Sequence, residues 1–383
     1  MAVSNSAEAA PARERMLYID NLRLMVIVLV VTIHLAVTVS GIGSWYYVYG
    51  THLDTGSLLW FTFYEAFTQG YFMGLLFMIA GYFVAGSYDR KGFGGFVGDR
   101  FKRLMIPTLI FMIAITPFIA FIELGFTATG SGSSGVTLFG FLSGTGPMWF
   151  AAALFGFSLI YGVCRLAYRS PTPKTHRKLL EPTFATTAAL ILIIAVFAYL
   201  IRIVQPVGTA ILNFQLCYFA SYIVLFIVGI LAYRSNLFKK ISYKTGKRWL
   251  ITAFVLGFIV FLVVIAIVSA TGTTSALMGG LTWQSAAYSL WESFIAVAMS
   301  IGLIAVFREK FNSQSTLVKT LSDNSFAVYM FHPMIIIPIT LLLAPLALYP
   351  VAKWLLLCII CIPVCFAATH YVFRRIPLLK KVL

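Results

Sequence analysis

Residues 22–40 read LRLMVIVLVVTIHLAVTVS, a run in which Arg23 and His34 are the only ionisable side chains. As a helix rising 1.5 Å per residue, a stretch of this length crosses a hydrocarbon layer of roughly 30 Å. Nine more apolar runs follow, near 58–85, 104–124, 147–168, 183–204, 210–233, 249–270, 287–307, 322–343 and 351–373. The chain is 60% hydrophobic and 10% charged over 383 residues, whereas about a quarter of a soluble domain is charged. The expected fold is therefore all-α: one polytopic integral membrane bundle of about ten transmembrane helices, with the lipid bilayer as its solvent.

The formal net charge of +16 raises the question of nucleic acid, and the placement of the charges answers it. Of the 28 Lys and Arg residues, all but Arg202 and Lys353 fall on the N-terminal segment, the C-terminal segment and alternate connections. That asymmetry is the positive-inside pattern, so both termini are expected in the cytoplasm, the helix count is even, and no nucleic acid partner is expected. Residues 1–15 carry Glu8, Pro11 and Glu14 before any apolar run, so a removable signal peptide is not expected. The expected organisation is a flexible cytoplasmic N-terminus over 1–16, a membrane domain over 17–374 and a cytoplasmic tail over 375–383.

The outward connections, 41–56, 127–146 and 271–284, are poor in charge and read as loops. Trp45, Tyr46 and Tyr47 in the first of them are expected to be interfacial anchors. Gly70, Gly74 and Gly81 on the second helix offer a neighbouring helix a close approach. The five cysteines lie in or beside the spans, and Cys358 and Cys361 lack His or acidic partners at ligand spacing, so no metal site is expected.

Ionisable groups inside a span are costly unless they face a protein interior, which makes each a candidate site. The first helix carries Asp20, Asn21 and Arg23 at its cytoplasmic end and His34 deeper in. Eleven residues at about 100° each come close to three whole turns, so Arg23 and His34 share a face, about 16 Å apart along the axis. Imidazole exchanges protons near neutral pH, so His34 is a candidate catalytic base. Arg100 and Arg103, one turn apart at the start of the third span, suit a phosphate group approached from the cytoplasm. Glu65 with Gln69, Ser285 with Ser289 and Glu292, and Ser325 with Tyr329 and His332 form polar stripes at helical spacing, and Glu123 lies near the outer end of the third span. Together these suggest a wet interior that holds a hydroxylated substrate. No Gly-x-Ser-x-Gly elbow and no Walker-type loop is present.

Several stretches, in order, resemble the membrane acyltransferase-3 family, integral enzymes that O-acylate envelope glycans. They are Tyr18-Ile-Asp-Asn-Leu-Arg23 with His34 eleven residues beyond the arginine, Phe77-Met-Ile-Ala-Gly-Tyr-Phe83, Arg100-Phe-Lys-Arg103-Leu-Met-Ile-Pro107, Gly146-Pro-Met-Trp149-Phe150 and Ser325-Phe-Ala-Val-Tyr329-Met-Phe-His332-Pro333. The resemblance implies transfer of an acyl group, acetyl or succinyl, from cytoplasmic acyl-CoA to a carbohydrate hydroxyl, on a glycan or lipid-linked saccharide, at the outer face of a bacterial inner or plasma membrane. It implies catalysis by His34 with Arg23 and Asp20, and donor binding by Arg23, Arg100 and Arg103. Saccharide binding falls to Glu65, Glu123, Trp149, Tyr329 and His332, with acyl-CoA as co-substrate and no tightly bound cofactor. The Gly-Pro-Met-Trp-Phe form leans towards the glucan succinyltransferase branch. A rival reading is a proton-coupled exporter or flippase of a lipid-linked sugar.

Overall fold

The computed structural model describes residues 15–50, 52–127, 144–168 and 183–380, without the side chains of 123–127, 378 and 380. Ten helices order the chain: α1 (Leu17–Ser40), α2 (Thr55–Arg100), α3 (residues 101–127), α4 (Trp149–Ala167), α5 (Phe184–Val204), α6 (Phe219–Ser235), α7 (Tyr243–Ala270), α8 (Trp283–Lys310), α9 (Thr316–Leu342) and α10 (Pro350–Tyr371). Among the described residues no strand forms beyond an isolated bridge between Ile211 and Phe214.

Among the described residues nine continuous helical stretches are long and apolar enough to cross a membrane, and one of them, Thr55–Ile122, runs for 68 residues. Straight, it would extend about 100 Å, three times the hydrocarbon thickness. It is broken at Gly92, whose φ of 65° and ψ of −178° no helix tolerates. The break divides α2 into a long part before Gly92 and a short part that leads without a turn into α3, so this stretch is long enough for two crossings.

Several helices overrun their apolar runs. α2, α7, α8 and α9 extend into the aqueous layers, and polar N-caps set their starts: Asp54 accepts from the Ser57 amide, Ser242 from Thr245, Thr282 from Ser285 and Ser315 from Val318. The sixth span is shorter than its sequence suggests. Leu212 and Asn213 hold positive φ, so 210–218 form a loop and α6 begins only at Phe219.

The glycines of α2 work as close-approach points. An ideal Cβ on Gly81 would lie 2.1 Å from the Phe226 carbonyl oxygen of α6, and one on Gly229 would lie 2.0 Å from the Met78 carbonyl oxygen. Gly70 instead faces Ile295 of α8. In lipid such backbone proximity carries helix association, because burial of apolar surface contributes little there. Gly81→Ala should therefore force α2 and α6 apart and destabilise the protein by about 1–3 kcal/mol. Thermal unfolding in detergent checks this, with Gly156→Ala as control, since a Cβ there meets nothing within 4 Å. Equal melting of the two variants would refute the close-packing account.

Candidate active site

α1 is held near each end of the stretch from Arg23 to His34. At the cytoplasmic end the Asn21 amide donates to the Phe311 and Ser313 carbonyls at 2.7 and 3.0 Å, tying α1 to the turn between α8 and α9. At mid-helix the Trp354 indole of α10 donates to the Thr32 carbonyl at 3.0 Å, and the Thr32 and Tyr64 hydroxyls lie 2.6 Å apart. His34 is thereby held against α9. Its Nδ1 lies 2.9 Å from Nε2 of His332.

The tautomers follow from the partners. Nδ1 of His332 faces the carbonyl oxygens of Tyr329 at 2.9 Å and Val328 at 3.3 Å. Carbonyls only accept, so this nitrogen carries the proton, and Nε2 of the neutral ring keeps the lone pair. His34 Nδ1 must then donate to it. The basic lone pair of His34 is left on Nε2, on the side of the ring away from His332.

Trp45 stacks on the His34 ring, with centroids 3.8 Å apart and planes at 17°. It is not the interfacial anchor expected of it. Gly41 and Gly43 take positive φ of 70° and 101°, which turns the chain after α1 back over the imidazole.

His34 lines a cavity of about 770 Å³ at the outer end of the bundle, together with Glu65, Gln69, Trp149, Tyr222 and Tyr329. The Glu65 carboxylate accepts from the Ser40 hydroxyl at 2.8 Å. The Gln69 amide donates to the Tyr222 hydroxyl at 3.0 Å, and Tyr222 stacks on Trp149 with centroids 5.7 Å apart. The Tyr329 hydroxyl donates to the Pro147 carbonyl, fixing the turn that presents Trp149. Rigid aromatic walls with a few convergent polar groups are the usual make-up of a small-ligand site.

Three sequence expectations change here. His332, expected to bind substrate, is fully buried and lies outside the cavity lining; its Nε2 contacts His34 instead. Asp20, expected beside the chemistry, pairs with Arg15 at 2.6 Å and Arg23 at 3.6 Å at the far end of α1, so it positions Arg23. The stripe Ser289 and Glu292 does not face substrate: both bond to the buried guanidinium of Arg202, a partner that periodicity within α8 could not reveal. The Glu123 side chain lies outside the described residues, as do 1–14, 128–143, 169–182 and 381–383.

On the cytoplasmic side the Arg23 guanidinium lies 4.8 Å from the centroid of the Phe83 ring, and its charge repels that of Arg100. Arg100 lies 5.5 Å over Phe96. Arg103 follows in a π-helical turn at Phe101–Met105; its Nε pairs with Asp99 at 3.1 Å and its side chain is 72% exposed. Arg100 thus feels the charges of both Arg103 and, more weakly, Arg23. Between Arg23 and His34 the same face of α1 carries Ile27 and Val30, both buried.

No curated protein and no solved structure matches the chain. The acyltransferase domain of the acyltransferase-3 family matches it over residues 16–370, from the first turn of α1 to the last turn of α10. With that match spanning the ten-helix bundle and the imidazole pair at its centre, the chain belongs to the membrane acyltransferase-3 family and is an O-acyltransferase.

Proposed function

We propose that the protein moves an acyl group, acetyl or succinyl, from cytoplasmic acyl-coenzyme A to a carbohydrate hydroxyl on a glycan or lipid-linked saccharide at the outer face of the cell membrane. The observation that supports this reading is the position of His34, which lines a cavity at the outer end of the bundle, while Arg23 stands at the cytoplasmic end of the same face of α1.

Acyl-coenzyme A enters as co-substrate. Its phosphates meet Arg23 and Arg100 on the side where the donor is made, and its extended arm runs along the apolar face of Ile27 and Val30 towards His34. The saccharide occupies the cavity, against Trp149 and Tyr222. His34 Nε2 takes the proton of the sugar hydroxyl as its oxygen attacks the thioester carbonyl. The C–S bond breaks, the acyl group leaves as a sugar ester, and the proton on His34 passes to the departing thiolate. The His332 lone pair stabilises the imidazolium by accepting from Nδ1 throughout.

Purified protein in lipid nanodiscs, supplied with labelled acyl-coenzyme A and oligosaccharides, tests the reaction directly. Label should appear as base-labile ester on the sugar. Movement of saccharide across liposomes with no acyl donor and no ester formed would favour the carrier reading instead.

Replacing Arg23 or Arg100 with alanine should raise KM for acyl-coenzyme A about tenfold, the loss of one charge-assisted hydrogen bond, with KM for the saccharide little changed. Arg103→Ala should do less, because Arg103 is already paired and solvated. Unchanged donor KM in both of the first two variants would remove the arginines from donor binding.

A further inference from the structure

When His34 takes the proton of an attacking hydroxyl its ring becomes an imidazolium, and inside a bundle that charge needs a counterpart. A carboxylate on the far ring nitrogen is a common solution. Here His34 Nδ1 meets Nε2 of His332 at 2.9 Å, His332 Nδ1 meets backbone carbonyls, and among the described residues neither imidazole is paired with an acidic side chain. The second ring supplies a hydrogen-bond acceptor but no negative charge. What lies against the pair is an indole. Trp45 covers the face of His34 with centroids 3.8 Å apart and planes at 17°, and it reaches over His332 as well, 5.9 Å away with planes at 10°. The two imidazoles are themselves nearly parallel, at 12°.

The indole is held there from both sides in sequence. Before it, the Ile42 amide donates to the Ser40 hydroxyl at 3.0 Å, and that hydroxyl donates to Glu65 of α2. After it, the Tyr49 amide donates to the Thr38 carbonyl at 2.8 Å, and the Tyr49 hydroxyl to the Thr340 carbonyl of α9 at 2.8 Å. Tyr46 packs against the indole at 76°, centroids 4.9 Å apart. A ring pinned in this way to α1, α2 and α9 needs no reordering when the charge appears.

The indole face is the negative pole of its quadrupole and attracts a cation more strongly than the face of Tyr or Phe. Towards a neutral imidazole it offers only stacking. Its attraction therefore grows as the proton arrives, and an interaction of that kind lowers the barrier without tightening the binding of substrate. We infer that Trp45 is a positioning residue that acts through His34, its indole stabilising the imidazolium formed during acyl transfer. This rests on the acyltransferase reading above and adds to it the group that answers the charge. It also sets the approach: with one face of His34 covered, the sugar hydroxyl meets the ring edge, where the Nε2 lone pair lies.

The test replaces Trp45 alone, by suppression of a stop codon placed at that position, with tryptophans carrying successively more ring fluorines. Full-length protein in nanodiscs is supplied with labelled acetyl- and succinyl-coenzyme A in turn and with oligosaccharides. Fluorine draws electron density from the face and leaves the shape of the ring nearly unchanged. Log kcat should fall in step with the number of fluorines, to about a tenth of the wild-type rate for the most fluorinated ring, while KM for donor and saccharide holds. Trp45→Leu, which has no aromatic face, should lose at least as much, and Trp45→Phe should recover part of it. The fluorinated rings pack alike, so a purely structural role for Trp45 leaves the series flat. A flat series, or a rise in saccharide KM at constant kcat, makes Trp45 no more than a wall of the cavity and overturns the inference while the acyltransferase reading stands. Wild-type protein that forms no ester from either donor overturns that reading and the inference together.

Discussion

Acyl transfer from coenzyme A should fall by about a thousandfold or more in His34→Ala, because the change removes both the acceptor of the sugar proton and its donor to the leaving thiolate. His34 lines the cavity whereas the other imidazole of the pair is fully buried and does not, so His332 cannot take over its place beside substrate. The fold should survive, since His34 contributes one hydrogen bond to a helix fixed independently by Asn21 and Thr32. Labelled transfer, measured on variant protein whose thermal unfolding matches wild type, checks the expectation. A wild-type rate would end the assignment of His34.

The second imidazole makes a finer prediction. His332→Ala should lower kcat while KM for acyl-coenzyme A holds, because His34 loses the acceptor that keeps its proton on Nδ1 and its lone pair on Nε2. His332→Gln places an amide oxygen in the same region and should recover part of the rate. Were both variants equally inactive and poorly folded, His332 would be a packing residue rather than one that orients the base.

How much of this was legible beforehand differs by the kind of contact involved. Arg23 and His34 could be aligned from spacing alone, because helical periodicity relates residues on one element and the apolar length of α1 guarantees the element. The all-α polytopic bundle was equally legible, since long apolar runs depend on the membrane and not on tertiary detail. Periodicity is silent about what faces a residue from another helix. His332 and His34 are separated by 298 positions and Arg202 and Glu292 by 90, and nothing in either stripe names the other. Trp45 was misread for a related reason: near an interface an aromatic ring fits anchoring and stacking equally well, and only the backbone turn at Gly41 and Gly43 decides.

The largest loss of stability is expected at Arg202. Its guanidinium is entirely buried and the Glu292 side chain is 5% exposed, so Arg202→Met would leave a carboxylate in a low-dielectric interior with only Ser and Tyr neighbours. Removing one partner of such a pair costs about 3–5 kcal/mol, whereas replacing both with apolar groups is often neutral. The pair is not fully satisfied even now, since the Arg202 Nε has no hydrogen-bond partner among the described residues. Arg202→Met and Glu292→Met should each lower the unfolding temperature sharply, and the double variant should recover most of the loss. The same cycle bears on the site: Tyr218 and Tyr288 line the cavity and pack over the guanidinium, so the double variant should bind the saccharide more weakly even where it unfolds like wild type. Additive losses in the two single changes would show that the charges act independently, and would leave the cavity wall without its electrostatic support.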